Sequence, residues 1–268
     1  MSPAAGEVDP PICDQHYLVE IAGVGPRCLN CGLPEGATEV PRPSLTQLAK
    51  YFKTDKWGSH RYTPHYQRHF RAWRDREMNV LEIGIGGYAR DGQGGASLRM
   101  WKAYFQNAQI FGLDIQDKTF VEEPRIRTFQ GSQADPAVLR AVVEATAELQ
   151  IIIDDGSHRP EHILASFDVL FPLLAEDGIY VIEDTQTSYW PEFGGKANPR
   201  AKGTTMDFVK RLIDGLNYEE FVAERYVPSY TDLHVTEVSC YHNLVFIRKG
   251  TNREGTRKEH ALGKRRSK

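Results

Sequence analysis

The chain has 268 residues, of which 40% are hydrophobic and 26% charged, and its formal net charge is −3. This composition is typical of a globular domain and excludes a disordered chain, a collagen-like chain and a fibrous coiled coil. Nine Lys or Arg but only two Asp or Glu lie between Arg248 and Lys268, so this segment carries +7 and the rest of the chain −10. We expect neither a nucleic-acid partner, which an acidic body repels, nor a membrane partner, since no apolar run could span a bilayer.

The N-terminal region is poor in apolar residues and rich in cysteine. We expect residues 1–10 to be disordered and residues 11–40 to need a staple, because so short a segment cannot build a core. A Cys-x2-His pair and a Cys-x2-Cys pair have the spacing of a structural zinc knuckle. The four predicted zinc ligands are Cys13, His16, Cys28 and Cys31. The alternative is a tail with unrelated thiols. The few cysteines and the lack of a signal-peptide pattern predict a cytoplasmic protein.

Periodic segments follow a linker with two prolines. Ser44 is the predicted N-cap of a short helix, and from residue 78 onward strands alternate with helices. The predicted strands are 80–84, 110–114, 126–129, 150–154, 178–183, 234–240 and 243–248. The predicted helices are 97–105, 136–149, 160–174 and 205–216. Residues 41–250 should therefore form one doubly wound, Rossmann-like, mostly parallel α/β sheet with a C-terminal antiparallel hairpin, followed by a basic disordered tail at 251–268.

Ligands of such sheets bind at the carboxyl ends of the strands. The first strand ends in a glycine-rich turn, the second at an aspartate and the third in two polar residues. Turn and aspartate fit a nicotinamide dinucleotide and S-adenosylmethionine alike, so these residues alone leave both cofactors open. The candidate cofactor-binding residues are Glu82, Gly84, Gly86, Gly87, Tyr88, Ser97, Asp114, Ser132, Gln133 and Asp154.

Acidic residues end the fourth and fifth strands. Asp154 and Asp155 follow one strand, and Glu183 and Asp184 end the next. Carboxylates so close together repel one another unless a hard cation such as Mg²⁺ binds between them, although one or two could instead cap helices. His158 is the candidate general base beside the metal.

A long aromatic loop, residues 185–204, follows the fifth strand. Within this loop Tyr189 and Trp190 either stack on a substrate or anchor the loop in a local core.

These residues resemble the Mg²⁺- and S-adenosylmethionine-dependent O-methyltransferases that act on deoxysugars of natural products, including antibiotics. The stretches that carry the resemblance are 54–66, 81–88, 94–102, 153–158 and 182–190. The resemblance implies a class I methyltransferase fold, Mg²⁺ on Asp155, Glu183 and Asp184, and His158 as the base. It also implies that Glu82, the glycine turn and Asp114 hold S-adenosylmethionine, and by analogy a homo-oligomer. Residues 1–40 lie outside the resemblance.

The resulting hypothesis is methyl transfer from S-adenosylmethionine to a sugar hydroxyl of a glycosylated small molecule. One alternative acceptor is a cell-envelope or storage polysaccharide. Two more distant alternatives are a nicotinamide-dependent oxidoreductase, which leaves the paired carboxylates without a role, and a non-enzymatic binding protein.

Overall fold

The structure is a computed structural model, and it describes residues 18–21, 25–28, 42–88, 92–223 and 225–256. The chain divides into two compact units: one holds residues 1–77 and 99–108, and the other holds residues 78–98 and 109–268. Cys13, His16 and Cys31 lie outside the described residues, as does the disorder predicted for residues 1–10.

The described residues of the first unit form two short strands and two complete helices. Strands β1 (Leu18–Ile21) and β2 (Gly25–Cys28) pair antiparallel within the segment predicted as a zinc knuckle. Helix α1 (Leu45–Phe52) begins as predicted, because the Ser44 hydroxyl accepts a hydrogen bond from the Gln47 N–H and the Gln47 side chain accepts one from the Ser44 N–H.

Helix α2 (Thr63–Phe70) was not predicted. It packs through aromatic rings: Tyr66 lies 4.9 Å, centroid to centroid, from Trp101 of helix α3 (Ala96–Tyr104), whose last six residues belong to the first unit. Aromatic residues therefore provide the apolar face that aliphatic residues provide in most helices.

The second unit is built on a seven-stranded sheet. Its strands are β3 (Met78–Ile83), β4 (Ala108–Asp114), β5 (Ile126–Gln130), β6 (Leu149–Asp154), β7 (Leu174–Glu183), β8 (Val235–Tyr241) and β9 (Leu244–Lys249). Their order across the sheet is β5-β4-β3-β6-β7-β9-β8. Pairing is parallel between β4 and β5, β3 and β6, and β6 and β7, whereas β9 is antiparallel to both neighbours. The predicted mostly parallel sheet with a closing hairpin is confirmed.

The helices of this unit differ from the prediction at their ends. They are α4 (Pro136–Thr146), α5 (Pro160–Leu173), α6 (Thr205–Gly215) and α7 (Tyr230–His234). The helix predicted to reach residue 149 ends at Thr146, because Ala147 has a left-handed φ of +58° and Leu149 starts β6. Strand β7 begins four residues before its predicted start. Helix α7 was not predicted, and His234 ends it instead of opening a strand.

The start of the predicted C-terminal tail is also different. Asn252 is 9% exposed, and its side-chain amide donates a hydrogen bond of 2.8 Å to the Asp232 carbonyl oxygen. The structure therefore continues past residue 250, and the prediction for residues 257–268 lies outside the described part. No helix in the described ranges is long and apolar enough to cross a membrane.

The register of the central strands decides which face each acidic side chain occupies. In β6, Asp154 is aligned with Ile83 of β3 and with Ile182 of β7, both of which are buried in the core beneath α5. Because successive side chains of a strand point to opposite faces, Asp154 belongs to this core face. Asp155 therefore lies on the opposite face.

Candidate active site

A glycine joins the ends of three central strands. Gly84, immediately after β3, has φ +87°, and its N–H donates a 2.8 Å hydrogen bond to the Leu113 carbonyl oxygen of β4. On the other side, the Asp155 N–H donates to the Ile83 carbonyl oxygen at 2.9 Å. A Cβ atom at Gly84 would lie 2.1 Å from the Asp155 carbonyl oxygen. Only glycine fits both the left-handed backbone and this close approach.

A cavity of about 270 Å³ opens beside this turn. Five of the predicted cofactor residues line it: Gly84, Tyr88, Asp114, Ser132 and Gln133. The lining also includes Ser157 and His162, which the sequence analysis did not select. The Ser157 Oγ and His162 Nδ1 atoms lie 2.9 Å apart, so these side chains form a hydrogen-bonded wall of the cavity.

Asp114 is the buried acid of this cavity, with 2% of its surface exposed. One carboxylate oxygen, Oδ2, accepts hydrogen bonds from the Ile85 N–H at 2.9 Å and from the Tyr88 hydroxyl at 2.8 Å. The other, Oδ1, accepts one from the Gln116 N–H. Burial and the hydrogen bond to Asp114 raise the pKa of Tyr88, so its hydroxyl stays a donor. The Tyr88 hydroxyl thus occupies one of the acceptor positions of the Asp114 carboxylate.

Lys118 links the two glycine-rich stretches that follow β3. Its ammonium group is buried, and it donates to the carbonyl oxygens of Gly86 at 2.8 Å and Gln93 at 3.3 Å. These carbonyls belong to the two glycine-rich stretches that flank residues 89–91. The same ammonium lies 5.0 Å from the ring centroid of Tyr88. One buried charge therefore fixes both edges of the turn.

We expect Lys118→Met to weaken binding of S-adenosylhomocysteine about 10-fold or more, because a hydrogen bond from a charged group contributes roughly 1.5–3 kcal/mol. Calorimetric titration measures the affinity. Lys249→Met is the matched control, since Lys249 is also buried and donates to two carbonyl oxygens, but those of Pro172 and Leu174, which belong to neither glycine-rich stretch. Equal loss of affinity in both variants would contradict a specific role for Lys118.

The remaining predicted cofactor residues do not line the cavity: Glu82, Gly86, Gly87, Ser97 and Asp154. Position 87 requires glycine for a steric reason, because a Cβ atom there would lie 2.0 Å from the Gln93 carbonyl oxygen. Ser97 is 9% exposed at the start of α3. Gly86 and Gly87 belong to the glycine-rich turn, and direct contact with a cofactor stays a prediction for all five residues.

Asp154 lies in a buried polar network on the core face. Its carboxylate accepts hydrogen bonds from the Gln133 amide at 2.9 Å, the Ser166 hydroxyl at 2.6 Å and the Tyr180 hydroxyl at 3.1 Å. Burial raises the pKa of Asp154, and these hydrogen bonds oppose that shift. Gln133 in turn accepts a 2.7 Å hydrogen bond from the Ser157 N–H. Asp154 therefore reaches the cavity only through Gln133.

The other acidic residues meet on the opposite face of the sheet. Donor atoms of Asp155, His158 and Asp184 lie within 4.8 Å of one another, and so do those of Glu82, Asp155 and Glu183. Asp155 belongs to both groups, and neither group within the described ranges unites Glu183 with Asp184. Glu82 and Glu183 are buried, whereas Asp155 and Asp184 are partly exposed. Glu82, predicted to contact the cofactor, is thus part of the acidic cluster.

This donor set fits a hard divalent cation. Carboxylate oxygens are the ligands that Mg²⁺ prefers, and Mg²⁺ is usually held by one or two carboxylates while substrate or water completes its shell. Several carboxylates with this little separation repel one another at low dielectric unless a positive charge lies between them. The partly exposed members, Asp155 and Asp184, leave an open side from which a substrate can approach.

His158 has an unusual backbone and a directed ring. Its φ is +57°, in the left-handed region, and its Nε2 atom lies 3.7 Å from Asp184 Oδ2. The Nδ1 atom is buried and has no hydrogen-bond partner within the described part of the chain. Nε2 is therefore the nitrogen that can exchange a proton with a substrate.

Aromatic residues extend from His158 into the loop after β7. The ring of Phe193 lies 6.4 Å from that of His158 and 5.9 Å from that of Trp190, measured between centroids. Trp190 and Tyr189 are 43% and 36% exposed, so neither anchors a closed local core. The sequence analysis missed Phe193. The sequence could have indicated this residue, since Phe193 lies three residues after Trp190 in a turn that begins with Pro191.

Several curated proteins are similar to this chain, although no family model matches it. Demethylmacrocin O-methyltransferase of Streptomyces fradiae is 48% identical over 217 residues, which cover 80% of this chain and 55% of that protein. Mycinamicin VI 2''-O-methyltransferase of Micromonospora griseorubida is 46% identical over 217 residues, with 80% and 54% covered. The chain thus spans about half the length of the curated relatives it matches.

A solved structure is similar as well. It is a methyltransferase of the mycinamycin biosynthetic pathway in complex with Mg, SAH and mycinamycin VI. The TM-score is 0.77 at 46% sequence identity, and the match covers 80% of this chain and 55% of that one. Together with the strand order, this likeness confirms the predicted class I methyltransferase fold.

Proposed function

We propose that this chain, a homologue of the sugar O-methyltransferases of macrolide and tetracenomycin biosynthesis, transfers a methyl group from S-adenosylmethionine to a sugar hydroxyl of a glycosylated natural product. The observation that carries the proposal is that the cavity and the acidic cluster lie at the ends of the same strands: Gly84 and Gly156 line the cavity, and Glu82 and Asp155, just before them in the chain, belong to the cluster. A methyl donor in the cavity and an acceptor at the cluster would therefore be neighbours at one edge of the sheet, as a direct transfer requires.

The cofactor is held by the cavity residues in this proposal. Asp114 accepts hydrogen bonds from the ribose hydroxyls once Tyr88, which is 55% exposed, swings away from it. Ser132 and Gln133 border the cavity just after β5, where they face the adenine ring of the cofactor. When bound, S-adenosylmethionine supplies an electrophilic methyl group attached to a positively charged sulfur.

Asp155, Glu183 and Asp184 are the proposed Mg²⁺ ligands, since a donor atom of Asp155 lies within 4.8 Å of one from each of the other two. Glu82 lies beside Asp155 and Glu183 on the buried side of the cluster. When bound, Mg²⁺ supplies a Lewis acid that orients neighbouring sugar oxygens and lowers the pKa of a hydroxyl. The open side of the cluster, at Asp155 and Asp184, faces His158 Nε2.

His158 moves the proton in the proposed reaction. As the sugar oxygen attacks the methyl carbon in line and the carbon–sulfur bond breaks, Nε2 takes the hydroxyl proton. The carboxylate of Asp184, 3.7 Å away, attracts the imidazolium that forms. Trp190, Tyr189 and Phe193 provide apolar area for the sugar or its aglycone and exclude water from the reacting atoms.

The test of this function is a screen of glycosylated acceptors with S-adenosylmethionine and Mg²⁺, read by mass spectrometry of the product. We expect a gain of one methyl group on a sugar of a macrolide or aromatic polyketide glycoside. A polysaccharide acceptor in the same screen separates the alternative substrate class. A thermal-shift comparison of S-adenosylhomocysteine with NAD separates the two cofactors. Stabilisation by NAD alone, with no methylated product, would overturn the proposal.

Three finer features remain proposals. The spacing of Cys13, His16, Cys28 and Cys31 supports a structural zinc ion, and we expect elemental analysis to find one zinc per chain that Cys28→Ser removes without changing the chemistry. A preparation without zinc would contradict this. The resemblance supports a homo-oligomer, and the few cysteines support a cytoplasmic location.

A further inference from the structure

One hydroxyl group touches the main chain of both residues at the open side of the acidic cluster. The Oγ1 atom of Thr187 lies 2.8 Å from the carbonyl oxygen of His158 and 2.9 Å from the carbonyl oxygen of Asp184. Thr187 is 2% exposed. A hydroxyl has a single proton to donate, so the two carbonyl oxygens share it and both lie against the same Oγ1 atom.

The two residues held in this way both have a backbone that side chains disfavour. His158 has φ +57° and Asp184 has φ +53°. Such conformations are unfavourable and persist only where the surroundings over-determine them. The Thr187 hydroxyl acts on the carbonyl group of each strained residue, and these carbonyls belong to loops after two different strands, β6 and β7.

Thr187 is itself fixed from several sides. It lies in a 3-10 turn (Thr185–Tyr189), where its N–H donates to the Asp184 carbonyl oxygen at 3.1 Å. The turn is tied to the β8–β9 hairpin by the Thr185 N–H, which donates to the Asn243 carbonyl oxygen at 3.2 Å. It is tied to α6 by the Ser188 hydroxyl, which accepts from the Met206 N–H at 3.1 Å. Thr187 can therefore impose a position on the two loops.

We propose that Thr187 is a positioning residue, which sets the separation between the base His158 and the metal ligand Asp184 through its bifurcated hydrogen bond. This inference rests on the proposed function, since it concerns the geometry of that reaction. The hydroxyl donates to main-chain carbonyl oxygens and not to the side-chain donor atoms of the acidic cluster, so it is neither a candidate ligand nor a candidate base. It acts by keeping Nε2 and the Asp184 carboxylate on the same side of the acidic cluster, 3.7 Å apart.

The test compares three variants of the full chain. Thr187→Val removes the hydroxyl and keeps the shape, and Thr187→Ser restores the hydroxyl. Thr205→Val is the matched control, because Thr205 is fully buried and its hydroxyl has no hydrogen-bond partner among the residues that the structure describes. Affinity for Mn²⁺, used as a paramagnetic probe of the Mg²⁺ site, is measured without acceptor. Turnover and KM for the acceptor are measured with Mg²⁺.

We expect Thr187→Val to lower Mn²⁺ affinity about 10-fold, as loss of a group that orients metal ligands typically does. We expect kcat to fall about 10–100-fold with little change in acceptor KM, because a small displacement of the base costs that much. Thr187→Ser should recover both values to within about threefold, and Thr205→Val should change neither.

Two results would overturn the inference: wild-type Mn²⁺ affinity and kcat in a folded Thr187→Val variant, or the same losses in Thr205→Val. If Thr187→Val does not fold, Thr187→Ala removes the hydroxyl with less steric demand and is judged by the same criteria. If the wild-type chain methylates no acceptor, the proposed function fails, but the Mn²⁺ affinities still decide whether Thr187 organises the acidic cluster.

Discussion

Asp155→Asn should abolish divalent cation binding and methyl transfer together. Asp155 is the member common to both acidic groups, so the loss of its charge affects each of them. Lewis-acid stabilisation contributes several kcal/mol, and we therefore expect turnover to fall at least about 10³-fold. Chelation of the wild-type protein with EDTA should have the same effect, which added Mg²⁺ should reverse. Calorimetry with Mn²⁺ and a radiolabelled methyl-transfer assay measure the two quantities.

The neighbouring residue offers the sharpest control for this result. Asp154→Asn changes an aspartate one position earlier in the chain, but its side chain lies on the core face of the sheet and hydrogen-bonds to Ser166 and Tyr180. We expect it to retain Mn²⁺ affinity and to lose stability in urea unfolding. Full activity of the wild-type protein after rigorous chelation, or full activity of Asp155→Asn, would exclude the metal role. Equal loss of Mn²⁺ affinity in both variants would show that the two faces are not independent.

His158→Ala should lower kcat about 10²–10⁴-fold, the usual contribution of a positioned general base. Affinity for S-adenosylhomocysteine should change less than twofold, because His158 does not line the cofactor cavity. Residual activity should rise with pH, since the hydroxyl proton must then leave to solvent. Turnover across pH and calorimetric titration test these expectations.

His162→Ala is the comparison variant, and we expect it to affect cofactor affinity, which His158→Ala should leave nearly unchanged. This residue lies four positions further along, lines the cavity and contacts Ser157. We expect it to weaken cofactor binding and to leave Mn²⁺ affinity unchanged. If His158→Ala keeps wild-type turnover, His158 is not the base. If it loses cofactor binding, its role is structural.

The sheet could be predicted because its strands are short runs of β-branched and aliphatic residues that end in glycine or acid. Residues 150–154 are the clearest case, with three isoleucines buried on both faces between two parallel neighbours. The rule that ligands bind at the carboxyl ends of such strands then selects Asp114 and the two acidic pairs at 154–155 and 183–184 without any knowledge of contacts.

Side-chain direction was harder to predict than position. Asp154 and Asp155 are adjacent in sequence, but alternation along β6 sends the first to the core and the second to the acidic cluster. The side chain of Glu82 lies on the same face of the sheet as that of Asp155, because Glu82 is aligned with Ile153, two residues before Asp155. The period of two was available in the sequence, whereas the register between strands that brings Glu82 to Asp155 was not.

Some elements gave no usable signal. Helix α2 reads as polar and aromatic, and its apolar face becomes evident only beside Trp101. Thr187 and Lys118 act through carbonyl oxygens of loops distant in sequence. No residue pattern encodes a main-chain carbonyl, so contacts of this kind require the folded chain.

The left-handed backbone of His158 and Asp184 has an implication for engineering. At such positions glycine relieves steric conflict, so a search for more stable variants would favour glycine or asparagine at the two residues that we propose as base and metal ligand. Local stability and catalysis thus select different amino acids at the same positions. A thermostable version of this protein should therefore be sought with both positions held constant, in the helices and the sheet that surround them.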